Sequence, residues 1–316
     1  MIQTPEKVLD ALLVKFVEAM QLIEVYVARG DLEVSAGDRP VEAQVPIEIG
    51  LRHEFQRLFE GSKPYEITDS HQKAQFGKLG DYDSVLVIDP LDGTRNMVSG
   101  LPFGLNVAWG RVNGRTREEF TIGDLEVALV GDYLRGVVAA WTKGRGMLYA
   151  RVTRDWKLVD WVRHNADPLV YEVPDEHSHI LAHPKGAARQ RRLLEVFREL
   201  FPSDKYQRRA VDSTGLRMAG VATTELAAYG DVRSVNRLWD TVPSAVLVLH
   251  ANTRPLTIGT RTLSKISEKT WIVRNWGGRI ELNDDLGDGL VVLPTDKFFE
   301  FRKDLGGLRR LETDTV

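Results

Sequence analysis

The chain has 316 residues, 43% of them apolar, which suits one large domain or two closely packed ones. Its 42 basic and 45 acidic residues leave a formal charge of −3, so it has no general attraction for nucleic acid. It has no cysteine, which excludes disulfides and thiolate metal sites. The N-terminus lacks the order of a signal peptide, and no apolar run approaches about 18 residues, so the expectation is a cytoplasmic protein that spans no membrane.

Residues 5–29 predict an amphipathic helix, with Val8, Leu12, Phe16, Met20, Ile23 and Val27 at helical spacing. The polar turn SAGDRP follows, and residues 47–60 predict a second helix that packs Ile49, Phe55, Leu58 and Phe59. The apolar run Val85 to Ile88 predicts a buried strand that delivers Asp89 and Asp92 into a turn held by Pro90 and Gly93. Asp-Pro and Asp-Gly are ordinary turn formers. Two acids three apart at a strand end can also converge on a hard divalent cation such as magnesium, which prefers oxygen ligands. Thr94 comes next, with a hydroxyl suited to orienting a water.

LNVAW, DLEVALVG, GVVAAW and MLYA predict further strands, with VNGRTREEFTIGD as an exposed excursion. Periodicity is lost between Arg151 and Pro174, which suggests a boundary between a lobe at 1–155 and a lobe at 156–316. In the second lobe HSHILAH and KYQRRAV read as strands. AARQRRLLEVFREL and the stretch from about Leu216 to Tyr229 read as helices. Trp239 and Asp240 open another helix, where the aspartate is either a cap or a metal ligand. GLVVLP predicts a late strand, and FFEFRKDLGGL an edge or short helix. His177, His179 and His183 have no well-spaced acid for a zinc site. KGRGM is a hairpin turn and not a phosphate loop.

DPLDGT resembles the first signature of the inositol monophosphatase family, and Trp239-Asp240 in RLWDTVPSAVLVLH resembles the second. GLPFGLNVAWG, LRGVVAAWTKGRGMLYA and STGLRMAGVATTELAAYGDV are similar to the segments between, so the resemblance covers roughly residues 8 to 250. It implies an α/β fold of alternating layers (an αβαβα sandwich) in two packed lobes. It also implies a phosphomonoesterase dependent on Mg2+, with Mn2+ as an alternative. The implied metal ligands are Asp89, Asp92, Asp240, the carbonyl of Leu91 and an upstream acid.

The family's Gly-Glu-Glu is replaced here by YEITDSHQKA, where Asp69 is the substitute, or Glu66 if the register differs by three. Val45 stands where many members have an outer-metal aspartate, with Glu42 or Glu48 as compensating acids. The resemblance implies two-metal activation of water, with Thr94 and Asp69 orienting it. Substrate contacts would come from Gly93, Thr94, Ser213 and Thr214. Arg233 stands where inositol-selective members have an acid, which suggests a second anionic group on the substrate. The implied partner is a small phosphorylated metabolite, and there is room for a homodimer. Near the C-terminus LHANTRPL stands in place of the family's Glu-Ala-Gly-Gly. Two other readings stay open: an inactive relative that binds an anionic ligand or partner, and another metal-assisted reaction on a phosphorylated molecule.

Overall fold

In the computed structural model the strand expected at 85–88 extends in both directions. β2 runs Ser84–Asp92, and every residue of it is buried. The structure describes residues 4–29, 50–59 except 52 and 56, 64–68, 79–93, 96–97, 100–116, 120–160, 168, 170–173, 193–209, 213–231, 238–251, 254–261 and 289–304. The strand expected at HSHILAH and the acids Glu42 and Glu48 lie outside these.

β2 belongs to a seven-stranded sheet whose spatial order follows the chain. Its other members are β1 (Pro64–Thr68), β3 (Gly104–Arg111), β4 (Val127–Asp132), β5 (Val137–Thr142), β6 (Gly146–Val152) and β7 (Leu158–Asp160). β1 and β2 are parallel, and the remaining neighbours are antiparallel. The second sheet has five strands in the order β11-β12-β10-β8-β9. These are β8 (Val170–Glu172), β9 (Gln207–Arg209), β10 (Ala228–Asp231), β11 (Leu256–Arg261) and β12 (Gly289–Pro294). The change of sheet therefore falls between Asp160 and Val170, just past the expected lobe boundary.

Strand residues alternate between faces, and here both faces of both sheets are covered. Leu86 and Ile88 of β2, with Val107, Leu129 and Ala140, pack under α1 (Pro5–Arg29) through Val8, Leu12 and Phe16. Val85, Val87, Ala108, Val130 and Trp141 face the other way, onto α2 (Thr214–Ala222) and α3 (Leu238–Leu249). The second sheet closes over these helices with Tyr229, Ile258, Leu290 and Val292. Its outer residues Ala228, Val291 and Leu293 meet Leu193, Phe197 and Phe201 and, through Phe298, α4 (Thr295–Asp304). The order is helix, sheet, helix, sheet, helix. No helix among the described residues is long and apolar enough to cross a membrane.

One expected helix is shorter than its sequence suggests. Residues 216–229 do not form a single helix. α2 ends at Ala222, and Thr224 takes a positive φ of 60°. The N–H groups of Glu225 and Leu226 both return to the Gly220 carbonyl, at 2.7 and 3.0 Å. Arg254 binds the Leu226 and Ala227 carbonyls, so the chain leaves as β10 between β8 and β12. A strand buried on both faces is apolar throughout, and that pattern mimics a buried helix.

The α1 layer sits tightly on the first sheet at Gly131, where a Cβ would lie 2.2 Å from the Phe16 ring. Gly131→Ala should therefore destabilise the fold by about 1–3 kcal/mol through overpacking. Urea unfolding measures this, and an unchanged midpoint would contradict the packing.

Candidate metal centre

A regular strand sends residues three apart to opposite faces. In β2, Asp89 pairs with Asn106 while Asp92 pairs with Gly104, so one extra residue is inserted on the β2 side. This β-bulge resets the alternation and turns both carboxylates toward α2 and α3. Pro90 sits inside the irregularity, where a missing N–H breaks no ladder bond. Its carbonyl accepts from the hydroxyl of Tyr133 at 3.2 Å. Tyr133 is buried and stacks on Phe16, so α1 braces the bulge from behind. Burial, and then the charge of Asp89, push the Tyr133 phenol well above its ordinary pKa, which keeps its proton in place as a donor. The bulge runs on into Gly93, whose φ of +81° favours glycine.

Asp240 lies in the first turn of α3, where the helix N-terminus favours a negative charge. Trp239, partly buried, packs into the central core. Carboxylate oxygens of Asp89, Asp92 and Asp240 all lie within 4.8 Å of one another. Asp89 and Asp92 are buried, and Asp240 is half-buried. Asp92 Oδ2 accepts from Asn106 Nδ2 at 3.0 Å, from the Ser213 hydroxyl at 2.8 Å and from the Gly215 N–H at 3.1 Å. Asp89 Oδ1 accepts from the Leu91 N–H at 2.9 Å. Burial, then the charges of Asp240 and Asp92, hold the Asp89 carboxyl well above the usual carboxylate range. Three acids that meet at the strand end, one of them driven toward protonation by burial and by the other two, form an all-oxygen donor set suited to a hard divalent cation.

The other expected residues divide. Ser213 is buried. It caps α2 by accepting from Leu216 N and gives its proton to Asp92, so it supports the acid cluster. Thr214 is also buried, and its hydroxyl accepts from that of Tyr229 on the second sheet at 3.4 Å. Glu66 pairs with Leu86, between Tyr65 and Ile67, which join the central core. Alternation then turns Glu66 to the α1 side of the sheet, away from Asp89. Asp69, Thr94 and Arg233 lie outside the described residues. β1 does end at Thr68 in register with Ile88, the residue before Asp89.

Three residues of the site escaped sequence reasoning: Asn106, Tyr133 and Gly215. Asn106 did carry a signal, since it is a lone polar residue inside the apolar strand LNVAW. Tyr133 and Gly215 have none without the fold.

No protein-family model and no curated protein sequence matches this chain. Solved structures do. An inositol monophosphatase II from Staphylococcus aureus superposes with a TM-score of 0.58 at 16% identity, covering 93% of this chain and 90% of its own. A Toxoplasma gondii structure described as a sedoheptulose-1,7-bisphosphatase gives 0.62 at 13% identity, covering 95% and 93%. Mycobacterium tuberculosis SuhB gives 0.57 at 15% identity, covering 98% and 100%. The chain has their fold. It is an inositol-monophosphatase-like, two-lobed α/β sandwich, and at these identities the likeness is one of architecture.

The raised Asp89 carboxyl has a consequence for stability. Below the ordinary carboxylate pKa of about 4 the group is protonated folded or unfolded. As pH rises past that value, the unfolded chain releases the proton first, so the folded state loses stability until its own raised pKa is passed. Metal-free Asp89→Asn should therefore have a higher Tm than wild type at pH 7, with the gap narrowing toward pH 4. Adding Mn2+ should raise the wild-type Tm and leave the variant's unchanged. Identical Tm values at both pH values would refute the electrostatic account.

Proposed function

We propose that this protein is a metal-dependent phosphomonoesterase acting on a small phosphorylated sugar, cyclitol or nucleotide. The observation that carries this reading is the convergence of Asp89, Asp92 and Asp240 from two segments far apart in the chain. The fold supports it. The staphylococcal enzyme has been solved with inositol monophosphate and with 2′-AMP, and a further neighbour is described as an inositol monophosphatase–fructose-1,6-bisphosphatase.

Mg2+, or Mn2+ in its place, would be held by Asp89, Asp92 and Asp240, with the Leu91 carbonyl and Asp69 as further ligands. Such ions neutralise phosphate charge and lower the pKa of water. The chain's own part is positioning. Asp92 is oriented by three donors, and Asp89 is held in the bulge. Gly93 and Thr94 are assigned to the phosphate. The Thr94 hydroxyl, with Asp69, would orient the attacking water, whose proton the Asp69 carboxylate would take up. Ser213 acts through Asp92, and Arg233 is assigned to a second anionic group on the substrate. The two lobes, 1–155 and 156–316, would meet at this site. A soluble metabolite as substrate fits a cytoplasmic enzyme, alone or as a homodimer.

The test is phosphate release, with Mg2+ present, from a panel of sugar, inositol and nucleotide mono- and bisphosphates. Release from at least one is expected. Asp92→Asn should reduce it by at least about 100-fold, the upper end for losing a group that only supports a ligand. Folded, metal-loaded protein that releases nothing across the panel would shift the reading to an inactive relative or a non-hydrolytic reaction.

Selectivity gives a separate prediction. A guanidinium forks onto phosphate or carboxylate and cannot accept from a neutral hydroxyl. Arg233→Ala should raise KM more for a doubly anionic substrate than for a singly phosphorylated one, with kcat nearly unchanged. Equal effects on both would remove Arg233 from the substrate site.

A further inference from the structure

Asn106 is completely buried, and it stands opposite Asp89 in the ladder. One amide N–H points to Asp92 Oδ2 at 3.0 Å, and the same nitrogen lies 3.5 Å from the main-chain carbonyl of Asp240. A primary amide offers two N–H donors in a rigid fork. Here the two arms reach the two segments that carry the acids: the β2 bulge and the first turn of α3. A hydroxyl has one proton and can serve only one of them.

The other end of the amide has no partner among the described residues. Asn106 Oδ1 is buried without a hydrogen bond among the described residues, an arrangement that costs roughly 1–3 kcal/mol. An apolar side chain would avoid that cost, so the amide is poor as a packing choice and good as a donor. The surroundings are shaped to admit it. A Cβ on Gly215 would lie 2.2 Å from Asn106 Nδ2 and 2.3 Å from Oδ1, so only glycine leaves room. Gly215 itself donates to Asp92, and its carbonyl accepts from Ser244 of α3 at 2.8 Å. α2, α3 and β3 are thus locked around one carboxylate.

We propose that Asn106 is a positioning residue that sets the separation between Asp92 and Asp240, with Gly215 as the space that admits it. The proposal rests on the metal-site reading above. It assigns the affinity of that site to a neutral side chain that touches neither metal nor substrate.

Titration calorimetry with Mn2+ on wild type, Asp92→Asn, Asn106→Leu and Gly215→Ala tests it, with Tm of the metal-free proteins measured alongside. Asn106→Leu keeps the number and branching of side-chain heavy atoms, at a larger volume, and removes both donors. Its Mn2+ affinity should fall by about 10–100-fold, the range for groups that orient a ligand, while the metal-free protein stays folded. Gly215→Ala should also weaken binding, and in an Asn106→Ala background it should add nothing further, because it acts by displacing the amide. If Asn106→Leu does not fold, Gly215→Ala and that double variant carry the test. Loss of binding in Asp92→Asn with unchanged affinity in the Asn106 and Gly215 variants would overturn the positioning role and leave the metal site standing. A lowered Tm with unchanged affinity would reduce Asn106 to a packing residue. Normal binding by Asp92→Asn would overturn the metal site itself, and the proposal with it.

Discussion

Side chains alternate along a strand with a period of two, and Asp89 and Asp92 are three apart. That mismatch is the constraint on which the site depends. In a regular strand one carboxylate would point at α1 and the other at α3. The single inserted residue in β2 brings both to the α3 side, where Asp240 waits. An inserted residue weakens a ladder, so something must hold it. Pro90 has no N–H to leave unpaired, and Tyr133 satisfies its carbonyl from below. Tyr133 is fixed in turn by stacking on Phe16 of α1 and by packing against Phe103. Helix α1, which supplies none of the three clustered acids, is therefore mechanically part of the site.

Magnitudes show what bringing the acids together costs. Two unit charges about 4 Å apart repel by about 4 kcal/mol at an effective dielectric constant near 20. A hydrogen bond to a charged group returns roughly 1.5–3 kcal/mol. Asp92 has three donors on one oxygen. Asp89 has the Leu91 N–H, and burial first, then the charges of Asp240 and Asp92, force its carboxyl upward. The scaffold thus stabilises one anion and leaves another in deficit. A divalent cation is the simplest remedy for such an imbalance.

The strands were legible in the sequence because alternation and burial agree there. β2 to β6 follow the apolar runs, and the expected layer order is the observed one. The stretch 216–229 misled because small apolar residues buried on all sides carry no period that separates helix from strand. Glu66 stayed a candidate ligand until the parallel pairing of β1 with β2 set its face. The family resemblance marked Ser213 as a substrate contact, while its donation to Asp92 and its capping of α2 depend on contacts between distant elements. Asn106 was visible as a polar residue in an apolar strand. Its meaning needed the bulge, the helix start and the bare α-carbon of Gly215 in one place.

An account without metal must treat each acid separately. Asp89 and Asp92 would be turn residues, and Asp240 a favourable charge in the first turn of α3. The helix dipole is worth about 0.3–1 kcal/mol to Asp240, and an exposed first-turn acid collects it anywhere on the surface. Nothing in that role requires Asp240 to approach two buried carboxylates, and the approach costs several times what the dipole returns. Turn formation likewise needs neither a bulge that co-directs two acids nor a buried amide with an unsatisfied oxygen. These features are individually unfavourable, and a single cation bound among the three carboxylates offsets the largest of them. The arrangement is therefore better explained by charge than by local backbone preference.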